Sequence, residues 1–199
     1  LKENSCLSSL NCFNTCLTTD GVRYILEGIR VSDNCFNVNF ACNRIGDGAM
    51  DVVSEWIARS LIIKTLDLSQ NQITKEGAKI LSTGLAASLS LISLSLARNK
   101  IGREGAKEVA NVLKLSTHLS FLDLTSNGID TQGTCDIAAA LQVNKTLDSL
   151  VLWGNNMTKN GAKMVANLLF ANQNISSLNL RGNNIQNSGV ADLAQKIGK

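Results

Sequence analysis

The sequence predicts an α/β fold, a right-handed horseshoe solenoid of about seven strand-helix units with parallel strands on the concave face and helices on the convex face. Three observations predict it. The chain has 199 residues, close to seven times 28. A Leu-x-Leu triplet recurs at steps of 28 residues with no insertion. Within each step the apolar spacing changes from two to three or four, so each unit holds a strand followed by a helix.

The strand opens each unit. Leu66-Asp67-Leu68, Leu94-Ser95-Leu96, Leu122-Asp123-Leu124, Leu150-Val151-Leu152 and Leu178-Asn179-Leu180 share one register, and each buries one face. Three residues later stand Asn71, Asn99, Asn127, Asn155 and Asn183, whose amides are suited to pair backbone groups that have left the sheet. Ile73, Ile101, Ile129, Met157 and Ile185 follow, then Gly77, Gly105, Gly133, Gly161 and Gly189. The same frame carried backwards gives Val38, Phe40, Asn43 and Ile45, then Leu10, Cys12, Thr15, Leu17 and Gly21. Repeats therefore begin near residues 7, 35, 63, 91, 119, 147 and 175, in one domain over residues 1–199.

The helix closes each unit, as the spacing of Ala78, Leu81 and Leu85 or of Ala106, Val109 and Leu113 shows. Thr18, Thr74, Asp130 and Thr158 are the expected N-caps. A Gly inside the first turn costs about 1 kcal/mol relative to Ala, so its recurrence predicts a backbone too close to a neighbour to admit a Cβ. One unit cannot bury its apolar face alone, but stacked units share a core. Helices need about 10 Å of spacing and strands about 4.8 Å, so the stack curves with its strands inside.

The leucine, asparagine and glycine columns together, Leu-x-x-Leu-x-Leu-x-x-Asn-x-Ile followed by a Gly-Ala helix, resemble the leucine-rich repeats of the ribonuclease-inhibitor subfamily over essentially the whole chain. The resemblance implies the fold, and less about function. Its members include the ribonuclease inhibitor, the activating protein of the Ran GTPase, tropomodulin-type actin proteins, innate immune sensors and bacterial effectors. Leu7, Leu10 and Leu17 at one end and Leu178, Leu180, Leu193 and Ile197 at the other are as apolar as the interior, so further repeats or a capping segment are expected in a longer chain.

Composition narrows the function. Lys and Arg exceed Asp and Glu by 19 − 16 = +3, too little by itself to imply nucleic acid or anionic lipid. No apolar run approaches the roughly 20 residues of a membrane helix, and Leu1-Lys2-Glu3-Asn4 lacks the order of a secretory signal, so neither membrane insertion nor a nucleic-acid partner is expected and the location is read as cytoplasmic. Five of six cysteines fall in the first 42 residues. Their phase reads as small buried or half-buried thiols, with a terminal disulfide cap as the alternative; Cys12 to Cys16 and Cys35 to Cys42 lack the paired spacing of a metal site. The N-x-S/T triplets at Asn144, Asn156 and Asn174 occur at the frequency chance supplies. No nucleophile system assembles around His118, the one histidine, and the zinc-protease, hydrolase-elbow and phosphate-loop motifs are missing, so no enzyme, cofactor or metal is expected. Lys75, Lys79, Arg103, Lys107, Lys159 and Lys163 form a row interrupted by Glu76, Glu104, Glu108 and Asp136, the pattern of a solvated helix face.

A protein partner is expected on the concave strand face, where the columns beside the core leucines are mostly small and polar. Phe121, Val151 and Trp153 fall in adjacent units and break that pattern, and Asp67, Asp123, Arg98 and Arg181 supply a charged rim. Phe121 and Trp153 can alternatively fill grooves between strands. Trp56, on a helix, reads as partly core. The reading is a non-enzymatic protein-recognition module; alternatives are a GTPase-activating protein like the Ran regulator, the sensing domain of an immune receptor, or a host-targeting bacterial effector.

Overall fold

The computed structural model describes residues 6–29 and 34–197, with side chains to residue 196. The opening Leu1-Lys2-Glu3-Asn4 and the side chain of Ile197 lie outside the described residues. Among the described residues the strands are β1 (Ser9–Asn11), β2 (Asn37–Asn39), β3 (Thr65–Asp67), β4 (Ser93–Ser95), β5 (Phe121–Asp123), β6 (Ser149–Val151) and β7 (Ser177–Asn179). They alternate with α1 (Thr19–Ile29), α2 (Met50–Arg59), α3 (Lys75–Ala87), α4 (Gly102–Leu115), α5 (Asp130–Leu141), α6 (Lys159–Ala171) and α7 (Gln186–Ile197). The strands form one parallel sheet in chain order, and every pairing advances by 28 residues, from Leu10 opposite Val38 to Leu150 opposite Leu178. The architecture is the right-handed α/β horseshoe.

Each interior strand buries its middle residue and leaves its flanks half-buried. The paired leucines of β3 to β6, the isoleucine column and the inner helix residues Leu81, Val109, Ile137 and Val165 form one continuous core. Trp56 belongs to it at 7% exposure, deeper than its partly core reading. Leu10 and Leu17 in the first unit, and Leu178, Leu180 and Leu193 in the last, are only half-buried.

The first-turn glycines are close-approach sites. A Cβ at Gly105 would lie 2.5 Å from Ile101 Cγ2 and 3.1 Å from the Ala78 Cβ of the preceding helix, so the Gly-Ala pairing sets how closely helices approach. In the second unit, where Ala49 holds that column, the first turn is a 3-10 turn, Asp47–Ala49, before α2 begins. The caps divide. Thr74 accepts from the Glu76 amide, and Asp130, at φ 60°, accepts from the amides of Gln132 and Gly133. Thr158 caps nothing with its side chain, because its hydroxyl pairs with Thr131 Oγ1 at 2.8 Å.

The asparagine column is a ladder between units. Asn99 Nδ2 donates to the carbonyls of Leu68 and Leu96, while its Oδ1 accepts from the amides of Asn71 and Ile73 one unit earlier. A second ladder, at the opposite edge, has no counterpart in the sequence reading. Ser60, Ser88, Ser116, Asn144 and Asn172 occupy one column after the helices, and their side-chain oxygens accept from amides two or three residues on. Asn144 and Asn172 also donate back to the carbonyls of Leu113 and Leu141. Asn144 is therefore a buried structural residue.

Candidate functional site

The concave face is assembled from three columns per unit. The column between the core leucines turns out to be a device for closing the strand. Asn11, Asn39, Asp67, Asp123 and Asn179 each accept, through the side-chain oxygen, the amide two residues later, at 2.8 to 3.0 Å. Ser95 makes a longer version to Ala97 at 3.5 Å. This is the Asx turn, in which a short acceptor satisfies an amide that has left the ladder. Asp67 and Asp123 thus have one oxygen committed to structure; Asp67 also holds the Ser69 hydroxyl, which in turn meets Ser95 Oγ at 2.7 Å.

Val151 is the exception. It stands in register between Asp123 and Asn179 and carries no acceptor for the Trp153 amide. Beside it, Phe121 is half-buried on β5 between Ser93 and Ser149 of the adjacent strands. Trp153, half-buried just past β6, lies under the guanidinium of Arg181 at 5.5 Å from the ring centroid. Gly182 makes room for this stack: at φ 68°, a Cβ there would fall 2.5 Å from Trp153 Nε1. Arg98 is exposed in the turn after β4, also with positive φ, and its amide donates to Thr125 O. The structure brings Phe121, Asp123, Val151, Trp153 and Arg181 onto neighbouring strands and turns, with Asp67 and Arg98 toward the earlier units. Alternation within the three-residue strands puts Phe121, Asp123 and Val151 on one face; the stack of Arg181 on Trp153 was beyond it, because side-chain direction in a turn is not periodic.

The remaining polar groups build no reactive centre among the described residues. His118 is exposed with Nδ1 beside Thr117 Oγ1 at 2.9 Å. Cys12, Cys16, Cys35, Cys42 and Cys135 are free thiols. Burial pushes the Cys12, Cys35 and Cys135 thiols above their ordinary range, Asp136 and Asp130 adding to the effect at Cys135, which leaves them protonated and poor nucleophiles. The helix-face bases from Lys75 to Lys163 are exposed. No described helix is long and apolar enough to cross a membrane.

A family model described as Leucine Rich repeat matches residues 62–82, 87–110, 115–133 and 171–194. These four stretches match leucine-rich repeats. Among solved structures, the leiomodin-1 fragment known as actin-binding site 2 has a similar fold, with a TM-score of 0.58 at 18% identity over 98% of this chain and 87% of that one. An internalin (inlF) of Listeria monocytogenes gives a TM-score of 0.43 at 18% identity, over 84% of this chain and 54% of that one. No curated protein matches the sequence.

Proposed function

We propose that this module grips a partner protein through the concave face, centred on Phe121, Asp123, Val151, Trp153 and Arg181, with Asp67 and Arg98 as a rim, and that it does so without catalysis. One observation carries the reading. In six of seven units the residue between the core positions is a short acceptor that closes the strand. Val151 gives that bond up for an apolar side chain in the middle of the aromatic group. A local rule broken at a cost in stability marks a functional position. The second oxygen of Asp123 and the outer edge of Arg181 then offer a partner one acceptor and one donor flanking an apolar anchor point.

The stacking of Arg181 on Trp153 favours recognition over a GTPase-activating role, since the guanidinium is held against the ring. Membership of the ribonuclease-inhibitor-like subfamily, a cytoplasmic setting and further repeats or a cap beyond the end units belong to the same proposal. Actin is the first partner to screen, because the similarly folded leiomodin-1 fragment bears the name of an actin-binding site.

A photo-crosslinking residue at Ser149, on the concave strand, is compared with one at Asn160, on the outer helix. The expected result is a defined crosslinked protein from Ser149 alone, its yield falling about 30-fold in Phe121→Ala/Trp153→Ala, the equivalent of about 2 kcal/mol. Equal yields from both positions, or undiminished capture by the double variant, place the site elsewhere.

A further inference from the structure

We infer a second interaction surface, independent of the concave site: the edge where helices end and strands begin is a docking rim for an anionic lipid surface. Each of the five consecutive helices from α2 to α6 finishes beside one large apolar side chain that stands exposed. These are Leu61, Leu89, Leu115, Val143 and Phe170, exposed by 58% to 75%, and Ile92 joins them at the start of β4. They do not share a column. Where the column of Leu61 and Leu89 turns polar, at Thr117, Lys145 and Gln173, the apolar residue moves to Leu115, Val143 and Phe170. One apolar residue per unit is thus kept while its position changes. The opposite edge, at residues 70–75, 98–103, 126–131, 154–159 and 182–187, exposes no large apolar side chain among the described residues.

The second ladder holds each of these turns through Ser60, Ser88, Ser116, Asn144 or Asn172, so the apolar groups stand on rigid backbone. Because the sheet register never slips, the turns end at one level. The result is a rim at constant height, with an apolar pocket at its first-unit end lined by Leu26, Trp56 and Leu61. Arg59, Lys64, Lys114 and Lys145 lie within the same turns against Asp148 alone, and Lys196 sits 4.9 Å over the Phe170 ring. Arg59 is shared with Glu55 at 3.1 Å. Exposed aliphatic and aromatic side chains interleaved with lysines suit a headgroup layer, where apolar tips enter the acyl boundary and ammonium groups meet anionic phosphates. A second copy of the chain docked rim to rim would set lysine against lysine.

The test is flotation of the purified chain with vesicles of phosphatidylcholine alone or with about one-third phosphatidylserine, at about 0.15 M salt. Binding is expected only to the anionic vesicles, falling at least about tenfold in Leu89→Ser/Leu115→Ser/Val143→Ser and in Lys114→Glu/Lys145→Glu. Lys100→Glu/Arg103→Glu, on the other edge, should change it less than about twofold. Far-UV circular dichroism checks each variant's fold, and the charge pair carries the test if the triple variant unfolds. No binding to anionic vesicles overturns the inference. So does equal loss from charge reversal at both edges, which is generic attraction, or a triple variant that still floats while losing a protein partner.

Discussion

Asn99 and Asn71 occupy the same column, one unit apart, and their replacement by Ala should have unequal consequences. Asn99 Nδ2 bonds the carbonyls of Leu68 and Leu96, but each of these carbonyls keeps a second donor, Asn71 Nδ2 for Leu68 and Asn127 Nδ2 for Leu96. The amides of Asn71 and Ile73 have no such reserve, since both donate to Asn99 Oδ1 at 2.9 and 3.0 Å in the buried turn. Asn99→Ala therefore strands two amides at about 1 to 3 kcal/mol each, or about 2 to 6 kcal/mol in all. Asn71 differs in one atom. Its Nδ2 bonds carbonyls that are likewise doubly served, but its Oδ1 is buried with no partner. Asn71→Ala removes no acceptor in use, and should cost about 1 kcal/mol for lost donor bonds. The truncated volume is the same in both, so the cavity contribution cancels. Equilibrium urea unfolding, followed by tryptophan fluorescence, reads the difference: Asn99→Ala should be the less stable variant by at least about 1 kcal/mol. Equal losses would show that the acceptor half of the ladder does not hold the units together.

Three further outcomes follow from local geometry. Val151→Asn restores the strand-closing acceptor, so it should raise stability by about 0.5 to 1 kcal/mol while weakening partner capture; a gain in both would remove the argument for Val151 as a functional exception. Gly84→Ala would place a Cβ 2.2 Å from the Ser54 carbonyl oxygen on α2, and should destabilise by about 2 to 3 kcal/mol although Ala is the better helix former; a Tm increase would refute the close approach. Arg23 meets both Asp51 oxygens across adjacent units, but the pair is largely exposed, so Arg23→Ala should cost less than about 0.5 kcal/mol at neutral pH. Although burial pushes the Asp51 carboxyl up, the Val52 amide and Arg23 outweigh it and hold it below its ordinary value. The pair's contribution is therefore present above the unfolded carboxyl value of about 4 and is lost as pH falls through the folded one, where wild type and variant should converge in thermal melts.

The fold was legible because 28-residue periodicity survives any change of side-chain detail: a strand's buried face and a helix's buried stripe repeat in phase, and Leu66, Leu94, Leu122 and Leu150 mark the register directly. Capping was less legible. Thr158 looks like Thr74 in sequence, yet the neighbouring Thr131 draws its hydroxyl away, and such competition lies 27 residues distant. The second ladder was missed because its members are Ser in three units and Asn in two, chemically alike as acceptors but not identical in letter. The concave column held a readable signal, since Asn11, Asn39, Asp67, Ser95, Asp123 and Asn179 are all short acceptors. That shared property predicts the Asx turn and assigns half of each aspartate to structure. Phe121 and Trp153 stand out by the opposite logic, as large side chains in columns without that duty, and Val151 as the one member of the acceptor column that carries no acceptor.

The central claim is that partner binding covers the concave group around Trp153. The chain has two tryptophans, and Trp56 is buried in the core, so a Trp56→Phe variant that remains folded leaves Trp153 as the sole reporter. Titrating that variant with the protein crosslinked through Ser149, or with actin, while recording emission and acrylamide quenching tests the claim directly. Saturating binding should shift the emission to shorter wavelength and protect the indole from the quencher. Binding demonstrated by sedimentation, with Trp153 emission and quenching unchanged, would contradict the account.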